Sequence, residues 1–331
     1  MKNVKNLICL GIESTAHTFG VGIVDSAGKI LANERDMYRP PIGKGIIPAE
    51  AGEHHRKVCD EILQNALEKA RLEMDDVDII AYSAGPGLPP ALLAGADFAE
   101  SLAKKSKRKI IPVNHPVAHL EIGKLTSEAK DPVYLYLSGG NTQIIAFTEG
   151  KYRVFGETED IPVGNCFDVF ARDAGLPMPG GPEIERLAKE GSYVELPYVV
   201  KGMDLSFSGI LTEARKLLRK GAKKEDLAYS MQEICFSMLT EVTERALAHT
   251  NKTEVLLVGG VAANKRLQEM VKRMSHDRGA KMHVVPDEYS GDQGAMIAWV
   301  GILADKSGYK QSMENRINPN WRIDQVDVTW I

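Results

Sequence analysis

The sequence predicts an α/β fold of two lobes in which one strand pattern is used twice. Residues 7–36 contain L-I-C-L-G-I-E, F-G-V-G-I-V-D and K-I-L-A-N-E-R-D, joined by S-T-A-H-T and S-A-G. Residues 133–158 repeat the order as V-Y-L-Y-L-S, G-G-N, T-Q-I-I-A-F, T-E-G and K-Y-R-V-F-G-E-T. Short Val/Ile/Leu-rich runs bounded by Gly, Ser and Asn read as antiparallel meanders. Residue identity between the copies is slight, so the repeat is one of pattern. Helices and strands alternate after each meander, as β-α-β units do. The length of 331 residues gives a prior of about two domains.

After the first meander, residues 54–73 place Val58, Ile62, Ala66 and Ala70 four apart, which predicts an amphipathic helix. V-D-I-I-A-Y-S-A-G-P-G reads as a buried strand entering a glycine turn, and P-A-L-L-A-G-A-D-F-A-E-S-L-A-K-K as a helix with proline in its first turn. K-I-I-P-V-N-H is a further strand, leading into P-V-A-H-L-E-I-G-K-L. In the second half, helices are expected around Phe167, Ile184 and Leu217. A long helix follows over residues 225–249, with Leu227, Met231, Ile234, Met238 and Val242 on one face. T-E-V-L-L-V-G-G, N-K-R-L-Q-E-M-V-K-R-M and K-M-H-V-V-P make another β-α-β unit, and a last helix spans 294–304 before an irregular tail. Lobe I is expected over residues 1–131 with 295–331 returning to it, and lobe II over 132–294. A cleft between such lobes is the default ligand site.

Composition excludes several classes. Lys plus Arg is 41 and Asp plus Glu 45, a formal net charge of −4, so nucleic acid would be held by a local basic patch or by helper subunits. Residues 104–109 and 215–224 are the basic runs, and each reads either as a solvated face or as a docking surface for RNA phosphate. Cys9, Cys59, Cys166 and Cys235 form no C-x-x-C pair, as expected of a reduced intracellular protein without a zinc ribbon. The N-terminus carries Lys2 and Lys5, but its apolar run is too short for a signal segment, and no stretch approaches the ~18 apolar residues of a membrane span. A cytoplasmic location without a membrane partner is expected.

Three small polar turns follow predicted strands: Glu13-Ser14-Thr15, Ser138-Gly139-Gly140-Asn141-Thr142 and Gly259-Gly260-Val261-Ala262-Ala263-Asn264. Backbone N–H groups in such turns approach an oxyanion closely, although hairpin geometry alone accounts for any one of them. Neither G-x-x-x-x-G-K-[ST] nor G-x-G-x-x-G occurs, which argues against a P-loop or a dinucleotide fold. His115 and His119, four apart, project from one helix face if Pro116 opens a helix, as a metal clamp requires. The other reading is a helix-terminus histidine and its neighbour. Pro116 stands where H-E-x-x-H would need its glutamate, so a zincin is not expected. Asp292 in S-G-D-Q-G and Tyr136 beside the glycine loop are candidates to complete the ligand set, which suits iron(II), zinc or manganese. His54 and His55 are not expected to be ligands. Asp168 and Glu185 read either as ribose-binding carboxylates, with Gly180-Gly181 alongside, or as surface acids.

The motifs G-I-E-S-T-A-H-T-F-G, P-V-N-H-P-V-A-H, Y-L-S-G-G-N-T-Q, G-N-C-F-D, P-G-G-P, V-G-G-V-A-A-N and S-G-D-Q-G-A-M occur in this order. As a set they resemble the tRNA threonylcarbamoyltransferases, the catalytic subunit of the archaeal and eukaryotic KEOPS complex and its bacterial TsaD relatives. The tail I-N-P-N-W-R-I-D-Q-V-D-V-T-W is similar to the archaeal-type ending, so the resemblance covers nearly the whole chain. It implies the two-lobed fold of actin, hexokinase and the heat-shock chaperone ATPases. It also implies one divalent metal per subunit, iron(II) favoured over zinc, held by His115, His119 and Asp292 with Tyr136 as a ligand or close neighbour. The implied ATP- or adenylate-derived ligand, threonylcarbamoyl-adenylate, would touch Tyr136, Leu137, Ser138, Gly139, Gly140, Asp168, Gly181, Glu185 and Asn264. The implied reaction moves the threonylcarbamoyl group to N6 of the adenosine 3′ to the anticodon in tRNAs reading codons that begin with A.

No general base is identifiable. Some archaeal relatives carry a fused kinase domain, and this sequence ends at Ile331. A separate small kinase, a small dimerising subunit and an accessory tRNA-binding subunit of KEOPS are therefore the expected partners, with tRNA. Two alternatives have the same fold: a small-molecule kinase, for which two imidazoles serve no purpose, and a nucleotide-sensing scaffold with a structural metal.

Overall fold

The computed structural model describes residues 6–40, 45–309 and 316–331, so Lys2 and Lys5 lie outside the described residues. The chain divides into two compact units, Met1–Leu125 with Asp292–Ile331, and Thr126–Gly291. In the first unit the strands are β1 (Ile8–Glu13), β2 (Thr18–Asp25) and β3 (Ile30–Met37), followed by helix α1 (Pro48–Ala70). Then come β4 (Ile79–Gly85), α2 (Pro89–Ser106), β5 (Lys109–Asn114) and α3 (His115–Thr126). The sheet order is β3-β2-β1-β4-β5. The meander is antiparallel, and β1, β4 and β5 run parallel.

The second unit repeats the plan. Its meander is β6 (Val133–Leu137), β7 (Thr142–Thr148) and β8 (Lys151–Glu157). Helices α4 (Val163–Asp173) and α5 (Gly180–Ala188) follow, then the two-residue strands β9 (Val200–Lys201) and β10 (Asp204–Leu205), and helices α6 (Ser208–Arg219) and α7 (Lys224–Thr250). After these come β11 (Glu254–Val258), α8 (Lys265–Asp277), β12 (Lys281–Val284) and the short α9 (Asp287–Ser290). The sheet order is β12-β11-β6-β7-β8, with β6, β11 and β12 parallel. Counted from each meander, the two sheets have one topology, which is the duplication expected from the strand pattern. Helix α7 is buried almost all round, carrying Leu227, Met231, Ile234, Met238 and Val242 into the core together with Phe236 and Leu239.

Helix α1 differs in two respects from expectation. It begins at Pro48, earlier than its apolar stripe indicated, because Pro48 supplies a ready N-terminal residue and Gly52 lies against Pro90 of α2. Its buried line runs through Ala51, His55, Cys59, Ile62, Leu63 and Ala66, leaving Val58 and Ala70 half-buried. A strict four-residue spacing drifts by roughly 40° per step on a 3.6-residue helix, so the core-facing line alternates threes and fours. Helix α10 (Gly294–Lys306) returns to the first unit and lies directly on β1 and β2. That approach needs glycine: a Cβ on Gly22 would sit 2.0 Å from the Ala295 nitrogen, and one on Gly294 2.1 Å from the Gly22 nitrogen.

Candidate active site

Parallel β1, β4 and β5 have their carboxyl ends at the same end of the first sheet. There β1 delivers Glu13, and β5 runs straight into α3, so His115 and His119 stand one turn apart on the emerging helix. Their rings pack edge to face with centroids 4.7 Å apart. Because α10 is seated on the sheet through its glycines, the turn before it carries Asp292 to the same place. Asp292 Oδ1 is 3.2 Å from His119 Nε2 and 3.5 Å from His115 Nε2. Ligand atoms of these three residues lie within 4.8 Å of one another. Two imidazole nitrogens and a carboxylate oxygen thus converge as in a facial ligand set, and their chemistry fits a borderline divalent ion.

Glu13, fully buried, closes the other side of His115. Its Oε2 is 2.9 Å from His115 Nδ1, while its Oε1 accepts from the Thr15 N–H at 2.7 Å and the Thr15 hydroxyl at 2.5 Å. A carboxylate at Nδ1 requires a proton there, which turns Nε2 toward Asp292. Burial pushes the His115 imidazole down, but the Glu13 and Asp292 carboxylates outweigh it and raise its pKa to about 9. Burial prevails at His119, which is lowered. Burial opposes ionisation of Asp292 as well, yet the two histidines hold its carboxyl well below the usual range. In the Glu13-Ser14-Thr15 turn the Thr15 N–H and hydroxyl donate to Glu13 and the Ser14 N–H donates to Ser83 Oγ at 2.9 Å, while the buried Ser14 hydroxyl has no hydrogen-bond partner among the described residues. The sequence marks Glu13 only as the start of a small polar turn; its pairing with His115 comes from the fold, which brings the end of β1 and the start of α3 to one end of the sheet.

His54 and His55 lie inside α1. His55 is buried with Nε2 3.1 Å from the Ala16 carbonyl, and burial followed by its His54 neighbour pushes it down to about 4. His54 pairs with Asp36 at 2.8 Å.

In the second unit, loops at the carboxyl ends of parallel β6 and β11 and the starts of α4, α5 and α8 adjoin one another. Such strand ends are where ligands bind in open α/β sheets. Tyr136 and Leu137 are fully buried in β6, and the Tyr136 hydroxyl accepts from Asn141 Nδ2 at 3.3 Å. Ser138 Oγ accepts from the Gly140 and Asn141 N–H groups at 3.2 and 3.0 Å. Asp168 Oδ1 accepts from the Gly180 N–H at 2.7 Å, and Glu185 Oε1 from the Lys265 N–H at 2.9 Å. Asn264 caps α8 by accepting from the N–H groups of Arg266 and Leu267 and donates to Gln232. The glycines divide by role. A Cβ on Gly164, Gly180 or Gly259 would strike neighbouring backbone, whereas one on Gly139, Gly140, Gly181 or Gly260 would meet no atom within 4 Å. The second group leaves bare backbone facing open space, as a nucleotide cradle requires.

Residues 28–299 match the family model TsaD, tRNA N6-adenosine threonylcarbamoyltransferase. The chain belongs to the TsaD family. A Thermococcus kodakarensis relative of that description is 54% identical over 327 residues, covering 98% of this chain and 100% of the relative. One from Thermofilum pendens is 52% identical, covering 99% and 98%. A Methanocaldococcus jannaschii relative described as a probable bifunctional tRNA threonylcarbamoyladenosine biosynthesis protein is 55% identical, and there this chain spans 61% of the relative's length. Among solved structures, Thermococcus kodakarensis HypF aligns with a TM-score of 0.62 at 15% identity, over 92% of this chain and 48% of that one. Component A of the Acidaminococcus fermentans (R)-2-hydroxyglutaryl-CoA dehydratase aligns at 0.57 and 12%, over 89% and 98%. These two likenesses concern the fold alone, which is the actin- and ATPase-like one. Among the described residues, no helix is long and apolar enough to cross a membrane.

Proposed function

We propose that this TsaD-family chain transfers a threonylcarbamoyl group from threonylcarbamoyl-adenylate to N6 of the adenosine 3′ to the anticodon in tRNAs reading codons that begin with A, releasing AMP. The observation that carries this is the end-to-end similarity to transferases of that description. Family membership also sets aside the kinase and scaffold alternatives.

The donor is a mixed carbamic–phosphoric anhydride with a good leaving group, so the protein's task is orientation and charge stabilisation. In the second unit, the open space beside Gly139, Gly140, Gly181 and Gly260 leaves room for phosphate and adenosine to lie against the main chain. Asp168 and Glu185 offer carboxylate oxygens to ribose hydroxyls. Asn264 holds the start of α8 in place, and its bonds to Arg266, Leu267 and Gln232 fix the loop that follows β11.

In the first unit, His115, His119 and Asp292 would hold one divalent metal, with iron(II) favoured because two histidines and one carboxylate are the ligand set of non-haem iron(II) sites. When bound, such an ion supplies Lewis-acid polarisation of an acyl or phosphate oxygen. Glu13 holds the Nδ1 proton of His115, so Nε2 is the nitrogen that would coordinate, losing its own proton as metal binds. No residue is assigned as general base for the adenosine amine.

The net charge of −4 supports sharing the tRNA among subunits. The proposed partners are a small kinase, a small dimerising subunit and an accessory tRNA-binding subunit of KEOPS, in the cytoplasm.

Nucleoside mass spectrometry tests this. Unmodified tRNA is incubated with this chain, fresh threonylcarbamoyl-adenylate and the partner subunits, with and without chelator. Modified adenosine that disappears with chelator, and in His119→Ala, supports both the reaction and the metal. No product in a mixture that becomes active when a relative replaces this chain refutes the assignment.

A further inference from the structure

We infer that residues 316–330 form a strap that positions helix α3, and with it His115 and His119, through two side-chain clamps. The first clamp is Asn114. It is buried immediately before His115, its Oδ1 accepts from the Val117 N–H at 3.1 Å, and its Nδ2 donates to the Trp321 carbonyl at 3.1 Å. One amide therefore caps the helix and ties its first turn to the tail. The second clamp is Glu121, buried two residues beyond His119. It accepts from the Trp330 indole N–H at 2.9 Å, with Lys124 at 3.9 Å and the Trp330 ring edge-on to Tyr309.

The strap itself is anchored. Trp321, Ile323, Val326 and Val328 are all buried. The Asn318 N–H donates to the Ala84 carbonyl at 2.7 Å, the Tyr82 hydroxyl to the Arg316 carbonyl at 2.8 Å, and the Gly87 N–H to the Pro319 carbonyl at 3.2 Å. Gly85, at φ +148°, admits this crossing, since a Cβ there would lie 1.9 Å from the Asn318 oxygen. The tail thus crosses the carboxyl ends of β4 and β5 before reaching α3.

The two clamps bracket the two histidines along one helix. Side-chain atoms sit at about 5–6 Å from a helix axis, so an axial rotation of about 20° would displace them by roughly 2 Å. Coordination distances tolerate only about 0.2 Å. Holding the helix at both ends of the ligand pair suppresses that rotation. Asn114, Glu121, Trp321 and Trp330 are accordingly positioning residues, acting through α3. The part of the inference that concerns metal rests on reading His115 and His119 as ligands.

The test uses the full chain, with Trp330→Phe removing the indole donor and Glu121→Gln preserving an acceptor oxygen for it. Hydrogen exchange of the α3 amides is measured without metal, and cobalt(II) affinity is measured by competition with a chromophoric chelator. Trp330→Phe is expected to speed exchange across residues 115–126 by about tenfold and to weaken cobalt binding by roughly three- to tenfold, the equivalent of one net hydrogen bond. Glu121→Gln should stay within about twofold of wild type on both. Met231→Ala, a core variant in the other unit, serves as the stability control. Unchanged α3 exchange in Trp330→Phe overturns the strap, as does an equal affinity loss in Met231→Ala. If the wild type binds no cobalt, the ligand reading fails, and the exchange result still decides the strap.

Discussion

Replacing Glu13 by glutamine tests the His115 arrangement with little change of shape. The amide oxygen of the variant still accepts from the Thr15 N–H and hydroxyl, now at 2.7 and 2.5 Å from Oε1. What changes is the group 2.9 Å from His115 Nδ1, where a carboxylate oxygen becomes an N–H donor. A donor there demands a lone pair on Nδ1, which moves the ring proton to Nε2, the atom that faces Asp292. Metal binding must then reverse the tautomer and strand two N–H groups against each other in a buried site. The lost charge-assisted hydrogen bond is worth about 1.5–3 kcal/mol. Read as metal affinity, that is about 10- to 100-fold, the range found for carboxylates behind ligating histidines. Chelator competition with cobalt(II) or iron(II) under anaerobic conditions measures it, with near-UV circular dichroism confirming the fold. A Glu13→Gln protein that folds and binds metal within about twofold of wild type would refute the claim that this carboxylate sets the tautomer.

Four further variants test other parts of the structure. Gly181→Ala should leave the melting temperature unchanged, because nothing lies within 4 Å of the new Cβ, while weakening adenylate binding in calorimetry. Gly180→Ala, whose Cβ would fall 2.6 Å from the Phe167 carbonyl oxygen, should lower the melting temperature instead. Asp160 accepts from the Ile161 N–H in its own loop and, at the start of α6, from the N–H groups of Phe207 and Ser208 and the Ser208 hydroxyl, so Asp160→Ala should cost about 1–2 kcal/mol in urea unfolding. Partial burial alone would raise the Asp160 carboxyl, but the Ser208 hydroxyl and these N–H groups hold it below its ordinary value. Its contribution is therefore complete above about pH 4 and is lost as pH falls through the lower folded value. The difference between wild type and variant should shrink on acidification, and a constant gap would count against the cap. Gly22→Ala, with a Cβ 2.0 Å from the Ala295 nitrogen, should destabilise by about 3 kcal/mol or more, or abolish folding, as read by thermal melts.

The parts of this protein legible in its sequence are those written in local periodicity. Both meanders, the alternating helices and strands, and the apolar face of α7 follow from spacing along a few turns or residues. His115 and His119 are legible for the same reason, since an i, i+4 pair on a helix is a local fact. Asp292 was found by residue type in a flexible glycine turn, but its convergence with the histidines depends on Gly22 and Gly294 letting α10 lie on the sheet. Glu13 and His115 stand 102 positions apart. They meet because β1, β4 and β5 run parallel side by side, so their carboxyl ends lie at one end of the sheet. The Asn114–Trp321 and Glu121–Trp330 clamps span 207 and 209 positions in the same way. Motif order identified the family without revealing any of these contacts, because order along a chain is blind to which strand ends share one end of a sheet. The duplicated sheet supplies what was missing. Once the strand order 3-2-1-4-5 is assigned to the first unit, the last residues of its first, fourth and fifth strands fall at one end of the sheet. Those residues are Glu13, Gly85 and Asn114, and each is engaged either with a candidate ligand or with the strap that holds the ligand helix.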